Sequence, residues 1–253
     1  MPQLFMRTLI GTGLLTLACW HALAAAAPLQ IVTEELPPYN MTVDGQVTGM
    51  STEVVQAVLG RLHLQVPIQV MPWARAYDMA QHQSDVLIYS IARTPQRETL
   101  FQWVGSIAPT RWYLYSAASR PVALKTLDDG KRYQVATVNQ DVGEQYLVAH
   151  GFELGQALQS STRYTLNYQK LKRGHVDLWI SNELNANYIV RQLGDDPAKA
   201  ITPALELPEL GGEAGLYMAF SSQTSTEVIE RFRQALKQVH EDGTYAAIAR
   251  KWL

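Results

Sequence analysis

One phrase occurs twice in this chain, ninety-two positions apart. Met79-Ala-Gln-His-Gln-Ser-Asp85-Val-Leu-Ile-Tyr-Ser90 is answered by Leu171-Lys-Arg-Gly-His-Val-Asp177-Leu-Trp-Ile-Ser-Asn182. Each copy leaves a polar helix, turns, places an Asp, and runs through a few apolar residues to a small polar side chain. An apolar run this short after a helix reads as a buried parallel strand, one half of a β-α-β unit. Ser90 and Asn182 then stand at strand carboxyl ends, where open α/β sheets put their ligand sites. The expected fold is therefore α/β, with two lobes facing each other across a cleft.

Residues 1–24 read as a signal peptide and leave the fold argument. Arg7 gives the positive start, Leu9 to Ala18 the apolar middle, and Ala22-Leu23-Ala24 a small-x-small cleavage site, with a cut after Ala26 as the alternative. A membrane anchor needs about 20 apolar residues, and this stretch is shorter. Cys19 is the only cysteine. Thr16-Leu17-Ala18-Cys19 loosely suggests lipid attachment, but Thr16 fits that pattern poorly, so a secreted, periplasmic protein is expected rather than a lipoprotein. Once cleaved, the chain has neither disulfides nor thiol chemistry. A net charge of −2 with no basic run argues against nucleic acid as a partner.

Along the chain, Leu29 to Thr33 reads as a strand, and Glu34-Glu35-Leu36-Pro37-Pro38-Tyr39 as a loop in which paired prolines exclude a helix. Ser51 or Thr52 is expected to cap a helix carrying Val54, Val55, Val58, Leu59 and Leu62. Strand Pro67–Met71, helix Trp73–Gln81 and strand Asp85–Ser90 follow. A second lobe restarts with strand Lys131–Val138, a helix opening at Asp141, and helix Tyr164–Arg173 stopped by Gly174. Strand Val176–Ser181, helix Glu183–Leu193 and a helix capped by Ser225 complete the pattern. Tyr113–Ala117 and Leu216–Phe220 read as two strands crossing between lobes, which makes a hinge that can close on a solute. The expected division is 25–114 with 219–253 for lobe 1, and 115–218 for lobe 2.

The ordered motifs of the mature chain resemble the family 3 periplasmic solute-binding proteins, the class that includes binding proteins for polar amino acids. Gly49-Met50-Ser51-Thr52-Glu53, Ser90 with Thr94-Pro95-Gln96-Arg97, Gly174-His175-Val176-Asp177, and Asp242-Gly243-Thr244-Tyr245 with Lys251-Trp252 carry the resemblance. Pro72-Trp73-Ala74-Arg75-Ala76 looks like a Pro-Trp-x-Arg subgroup within that family. The resemblance implies a two-lobed type II binding-protein fold and delivery of a captured solute to a membrane transporter, of the ATP-driven ABC type. It also implies that Arg97 grips a ligand carboxylate.

Independently of family, Arg97 follows a strand and a Thr94 cap, which would combine backbone N–H groups with a guanidinium fork. Ser90 would add a contact at the strand end, but the family's next hydroxyl is replaced here by Ala92. Trp73 would floor the pocket by stacking or apolar contact, or pack in the core. Asp141 opens a helix facing the same place. Asn182 stands where amino-acid-binding relatives carry an Asp for the ligand ammonium, so either the ligand lacks an α-ammonium or Glu183 or Glu35 substitutes. Tyr39, Tyr89 and Glu34 are further cleft candidates, with Glu34 and Glu35 otherwise read as solvated loop charges. Arg75 and Arg93 are extra cations, cleft-facing or solvated. Asp85 and Asp177 sit at strand amino ends, where capping a turn explains them.

A carboxylate-bearing ligand, no cofactor, no metal, a permease partner and a monomer are the expectations. His63, His82, His150, His175 and His240 are too scattered for a metal site. The competing readings are an enzyme on the same scaffold, similar to cyclohexadienyl dehydratases, and a sensory binding protein. A dehydratase needs a carboxyl of raised pKa facing the cleft, and Glu183 is the candidate for it.

Overall fold

A computed structural model describes residues 28–253. The expected signal peptide and Cys19 lie outside the described residues. The chain runs β1 (Gln30–Thr33), β2 (Met41–Val43), β3 (Gln46–Thr48), α1 (Met50–Arg61), β4 (Ile68–Val70), α2 (Trp73–His82), β5 (Val86–Ala92) and β6 (Phe101–Thr110). It continues through β7 (Trp112–Ala117), β8 (Val135–Val138), α3 (Val142–Ala149), β9 (Leu158–Ser161), α4 (Tyr164–Arg173), β10 (Leu178–Asn182) and α5 (Glu183–Gln192). It ends with α6 (Pro197–Ala200), β11 (Ile201–Glu206), β12 (Gly212–Ser221), α7 (Thr226–Glu241) and α8 (Thr244–Trp252).

These strands form two five-stranded sheets, ordered β4-β1-β5-β12-β6 and β11-β7-β10-β8-β9, beside the small hairpin β2-β3. The repeated phrase gives β5 and β10, and they occupy equivalent places. Each lies between a parallel strand of its own lobe (β1 or β8) and an antiparallel strand next to a crossover (β12 or β7).

β5 is buried along its whole length because helices cover both faces. Leu87 and Tyr89 join the apolar cluster of α1 and α7, whereas Val86 and Ile88 join the cluster under α2. The alternation then slips by one residue. Ser90 has φ +61°, and pairing with β12 jumps from Tyr89–Met218 to Ile91–Tyr217, so Ile91 returns to the face of Ile88. A bulge of this kind re-aims side chains at a strand end. On the far side, α7 packs Ile229, Phe232, Ala235, Leu236 and Val239 inward at helical spacing, with the Ser225 hydroxyl accepting from Val228 N. In the second lobe, Trp179 is fully buried between Tyr115 and Tyr168, with ring centroids 6.2 and 6.0 Å away.

The chain changes sheet at Arg111, between β6 and β7, and again over 207–211, between β11 and β12. Both passages come earlier than the sequence suggested. Tyr113–Ala117 lies inside the second sheet as β7, and Leu216–Phe220 pairs wholly within the first. Apolar runs reported burial within a sheet, not the hinge itself. The two passages touch: a Cβ on Gly211 would sit 2.7 Å from the Thr110 carbonyl oxygen.

Three local expectations also change. Gly49, not Ser51 or Thr52, is the residue before α1, and both hydroxyl residues are buried inside that helix. Residues 127–132 form a 3-10 turn, so β8 begins only at Val135. Thr94 opens no helix before Arg97, because residues 95–100 form successive turns.

Gly49 holds φ +118°, and a Cβ there would lie 2.5 Å from Tyr39 O, whereas Gly45 at φ +77° has nothing within 4 Å. In urea unfolding, Gly45→Ala should lose about 1–2 kcal/mol from its positive φ alone. Gly49→Ala should lose about 3 kcal/mol or more, because a backbone atom must also move. Equal losses would contradict the close approach of the Tyr39 loop to α1.

Candidate functional site

The first lobe brings three polar groups to the carboxyl edge of its sheet. Glu34 follows β1 directly and is buried. Its loop is tied down by Asn40, whose Nδ2 donates to Glu34 O at 2.6 Å and whose Oδ1 accepts from the Ser90 hydroxyl. Ser90, at the β5 bulge, is a non-glycine residue in the left-handed region, a strain that folds tolerate mainly at functional positions.

Arg97 completes the group. Its turn is closed by Arg97 N donating to Thr94 O at 3.0 Å, and its side chain folds back into the cleft with only 1% of the residue exposed. The guanidinium lies against Tyr77 and Trp73, 4.9 and 5.5 Å from the ring centroids. Nη1 donates to Ala92 O at 3.3 Å and Nε to Gln145 Oε1 at 3.1 Å, while Nη2 is buried with no partner. Burial pulls its pKa down, against the raising influence of Tyr77 and Asp141, but a guanidinium stays charged.

The second lobe answers with Asp141 and Tyr164, each at a helix start. Asp141 caps α3, its Oδ1 accepting from Glu144 N at 2.8 Å. Glu144 is occupied elsewhere, accepting from the Thr137 hydroxyl at 2.6 Å and from Gln140 N at 2.9 Å. The Tyr164 hydroxyl stands between two carboxyls, 3.1 Å from Asp141 Oδ2 and 3.4 Å from Glu34 Oε1. One phenolic hydrogen cannot satisfy both acids. Burial, reinforced by the charge of Glu144, raises Asp141 to about 7. Burial and then the Asp141 charge push Glu34 well above the usual carboxylate range.

The lobes are shut on each other. Trp73 Nε1 donates to Gln140 O at 2.8 Å, and Asn185 Nδ2 to Pro37 O at 2.7 Å, in addition to the Arg97–Gln145 and Tyr164–Glu34 contacts. The space left among Glu34, Trp73, Ser90, Arg97, Asp141 and Tyr164 is about 10 Å³, which is room for about one water. Larger hollows flank it. One of about 570 Å³ opens at the mouth beside Glu35, Met71 and Tyr188; another of about 480 Å³ lies at the hinge beside Tyr39, Arg111 and Glu183. The chemistry converges on the small one, where the buried charges are.

Of the residues picked from sequence, Arg97, Ser90, Trp73 and Asp141 come together around that gap. The others stand elsewhere. Asn182 is fully buried, but its Oδ1 caps α5 by accepting from Asn185 N at 2.9 Å, and it is not part of the gap's lining. Tyr39 donates to Pro109 O at 3.0 Å near the hinge. Glu35 sits at the mouth and accepts from Thr42 N and its hydroxyl. Arg75 is exposed on α2, outside the lining of the gap.

Glu183 pairs with Arg111 at 2.6 Å beside the hinge, so it is not the cleft acid. Glu34 and Asp141 are the buried acids of the cleft, and Glu34 is not a solvated loop charge. Arg93 pairs with Glu98 and lies over Trp103, and Tyr89 is bonded to Thr52. Tyr164 and Gln145 escaped the sequence reading. Tyr164 carried a signal: it begins a helix just after β9, at the carboxyl edge of a parallel sheet. Gln145 carried none.

Comparison with known proteins bears on the fold and the family. The family model for bacterial extracellular solute-binding proteins, family 3, matches residues 29–253. The L-cystine-binding protein TcyA of Bacillus subtilis (strain 168) is 23% identical over 241 residues, covering 92% of this chain and 84% of its own. Among solved structures, a histidine kinase sensor domain with similarity to periplasmic binding proteins superposes with a TM-score of 0.77 at 18% identity, covering 89% of this chain and 96% of its own. An ancestral arginine-binding protein bound to arginine gives 0.76 at 21%, with 89% and 97% covered. These structural likenesses establish the two-lobed fold. On the match across nearly all of the described residues, the chain belongs to the bacterial extracellular solute-binding proteins, family 3.

Proposed function

We propose that this protein captures an α-amino acid, or a related zwitterion, between its lobes in the periplasm and hands it to an ABC-type membrane transporter. The carrying observation is Arg97: a guanidinium 1% exposed, aimed into the cleft, with Nη2 lacking any acceptor. A ligand carboxylate supplies that acceptor through charge-assisted hydrogen bonds.

Charge balance supports the rest. Glu34 and Asp141 face a single guanidinium, so with both acids ionised the site carries one uncompensated negative charge. A ligand ammonium between them restores neutrality. That makes an Asp at position 182 unnecessary and leaves Asn182 to its helix cap. The cystine-binding and arginine-binding relatives are consistent with an amino-acid ligand. The receptor works as a monomer, with no cofactor and no metal.

A second reading has one observation in its favour. Asp141, held at about 7 in a buried cleft, is the kind of carboxyl a dehydratase uses as general acid. Incubation with prephenate or arogenate separates the two: the binding reading expects no turnover, and turnover would replace it.

A thermal-shift panel of amino acids, organic acids and polyamines identifies the ligand, since a ligand that binds only the folded form stabilises it by mass action. For that ligand, Arg97→Ala should weaken binding at least about thirtyfold, because a buried charged partner is lost. Its circular dichroism should be unchanged. Affinity within threefold of wild type would remove the carboxylate assignment.

Binding should also depend on pH. Below about 7 the Asp141 carboxyl of the closed cleft is protonated, and burial holds Glu34 protonated above the usual carboxylate range as well. An ammonium then has to displace that proton, so affinity rises from pH 5 to 8, by up to about tenfold per pH unit below the pKa. Asp141→Asn should make the profile shallower, leaving only the part that the raised Glu34 carboxyl contributes. A flat wild-type titration would count against the ammonium position.

A further inference from the structure

We infer that Gln145 is an internal stand-in for the ligand's carboxylate, an affinity-setting residue that occupies Arg97 in the ligand-free protein and must be displaced by any solute. The inference rests on the reading of Arg97 as the carboxylate-binding group. The two residues come from opposite lobes. Gln145 projects from the first turns of α3, and its Oε1 accepts from Arg97 Nε at 3.1 Å. Its amide nitrogen donates back to Gln140 Oε1 at 3.4 Å. Gln140 stands in the left-handed region at φ +62° and offers its carbonyl oxygen to Trp73 Nε1. Two residues near the start of α3 thus engage the guanidinium and the indole that border the cleft.

The hydrogen bonding of the guanidinium points the same way. Arg97 has two of its three nitrogens engaged, Nη1 by the fixed backbone oxygen of Ala92 and Nε by Gln145. A carboxylate binding side-on needs Nε and Nη2 together, so it takes the place of the Gln145 oxygen. Gln145 is not among the residues lining the gap, so it competes for the Nε edge of the guanidinium and not for the space beside it. Replacing a neutral acceptor on a guanidinium by an ionised one is favourable, since a carboxylate brings an opposite charge and a second, parallel hydrogen bond to the fork. Replacing it by another neutral acceptor gains nothing. Gln145 therefore sets a threshold that a carboxylate passes and a carboxamide does not.

Opposite substitutions at this one position test the idea. L-Arginine and L-argininamide serve as probes by isothermal titration, and small-angle scattering reads closure of the ligand-free protein. Gln145→Ala should open the ligand-free protein, raising its radius of gyration, because it strips the closed form of one charged hydrogen bond. It should tighten binding of both probes by the same factor, about tenfold. Gln145→Glu should place a permanent carboxylate on Arg97, keep the ligand-free protein closed and weaken L-arginine at least tenfold.

Unchanged or weaker L-arginine binding in Gln145→Ala, or L-arginine binding preserved in Gln145→Glu, would overturn the proposal. Should neither probe bind any of the three proteins, the amino-acid reading loses this support while scattering still decides the latch. A Gln145→Ala protein as compact as wild type would then refute it, and a more open one would uphold it.

Discussion

A guanidinium sealed from water without a carboxylate of its own is the constraint on which this structure turns. Arg97 is nearly inaccessible, with Nε and Nη1 bonded to two neutral oxygens and Nη2 lacking a hydrogen-bond partner. Burying an ion that way is unfavourable unless the ion is paired. The fold tolerates it because two aromatic faces lie against the cation and two buried carboxyls stand nearby in the opposing wall and at the end of β1. A receptor benefits from this arrangement: unmet polar groups in a closed cleft are the differential that a solute supplies, and only such a differential shifts a hinge equilibrium.

The two lobes contribute unequal chemistry on equivalent scaffolds. Both sheets present the carboxyl edges of parallel strands to the gap, and both use helix starts or bulges there. The first lobe gives the cation, the strained Ser90 and Glu34; the second gives Asp141 and the Tyr164 hydroxyl that touches acids of both lobes. Closure thus assembles a charge distribution that neither half holds alone. The passages near Arg111 and 207–211 are close-packed at Gly211.

Much of this was legible in the sequence, for physical reasons. An apolar run between polar punctuation must be buried, so the repeat revealed β5 and β10, and the strand-end rule then put Ser90 and Arg97 at the cleft. Asp141 followed from its place before a helix. Tertiary partners were not legible. Glu34 looked like half of a solvated acidic pair because its neighbours say nothing of Tyr164, 130 positions later. Asn182 looked like a ligand contact because its strand ends at the cleft edge, yet its oxygen is spent on the first turn of α5. The hinge was misplaced because apolar strands on either side of it are more conspicuous than the crossing itself.

The most direct examination of the account is a crystal structure of the protein with the solute found by screening. The account predicts the solute's carboxylate within hydrogen-bond distance of the Arg97 guanidinium, Gln145 turned away, and the ammonium between Glu34 and Asp141. A solute seated in the hinge or mouth hollow, with Arg97 still bonded to Gln145, would contradict it.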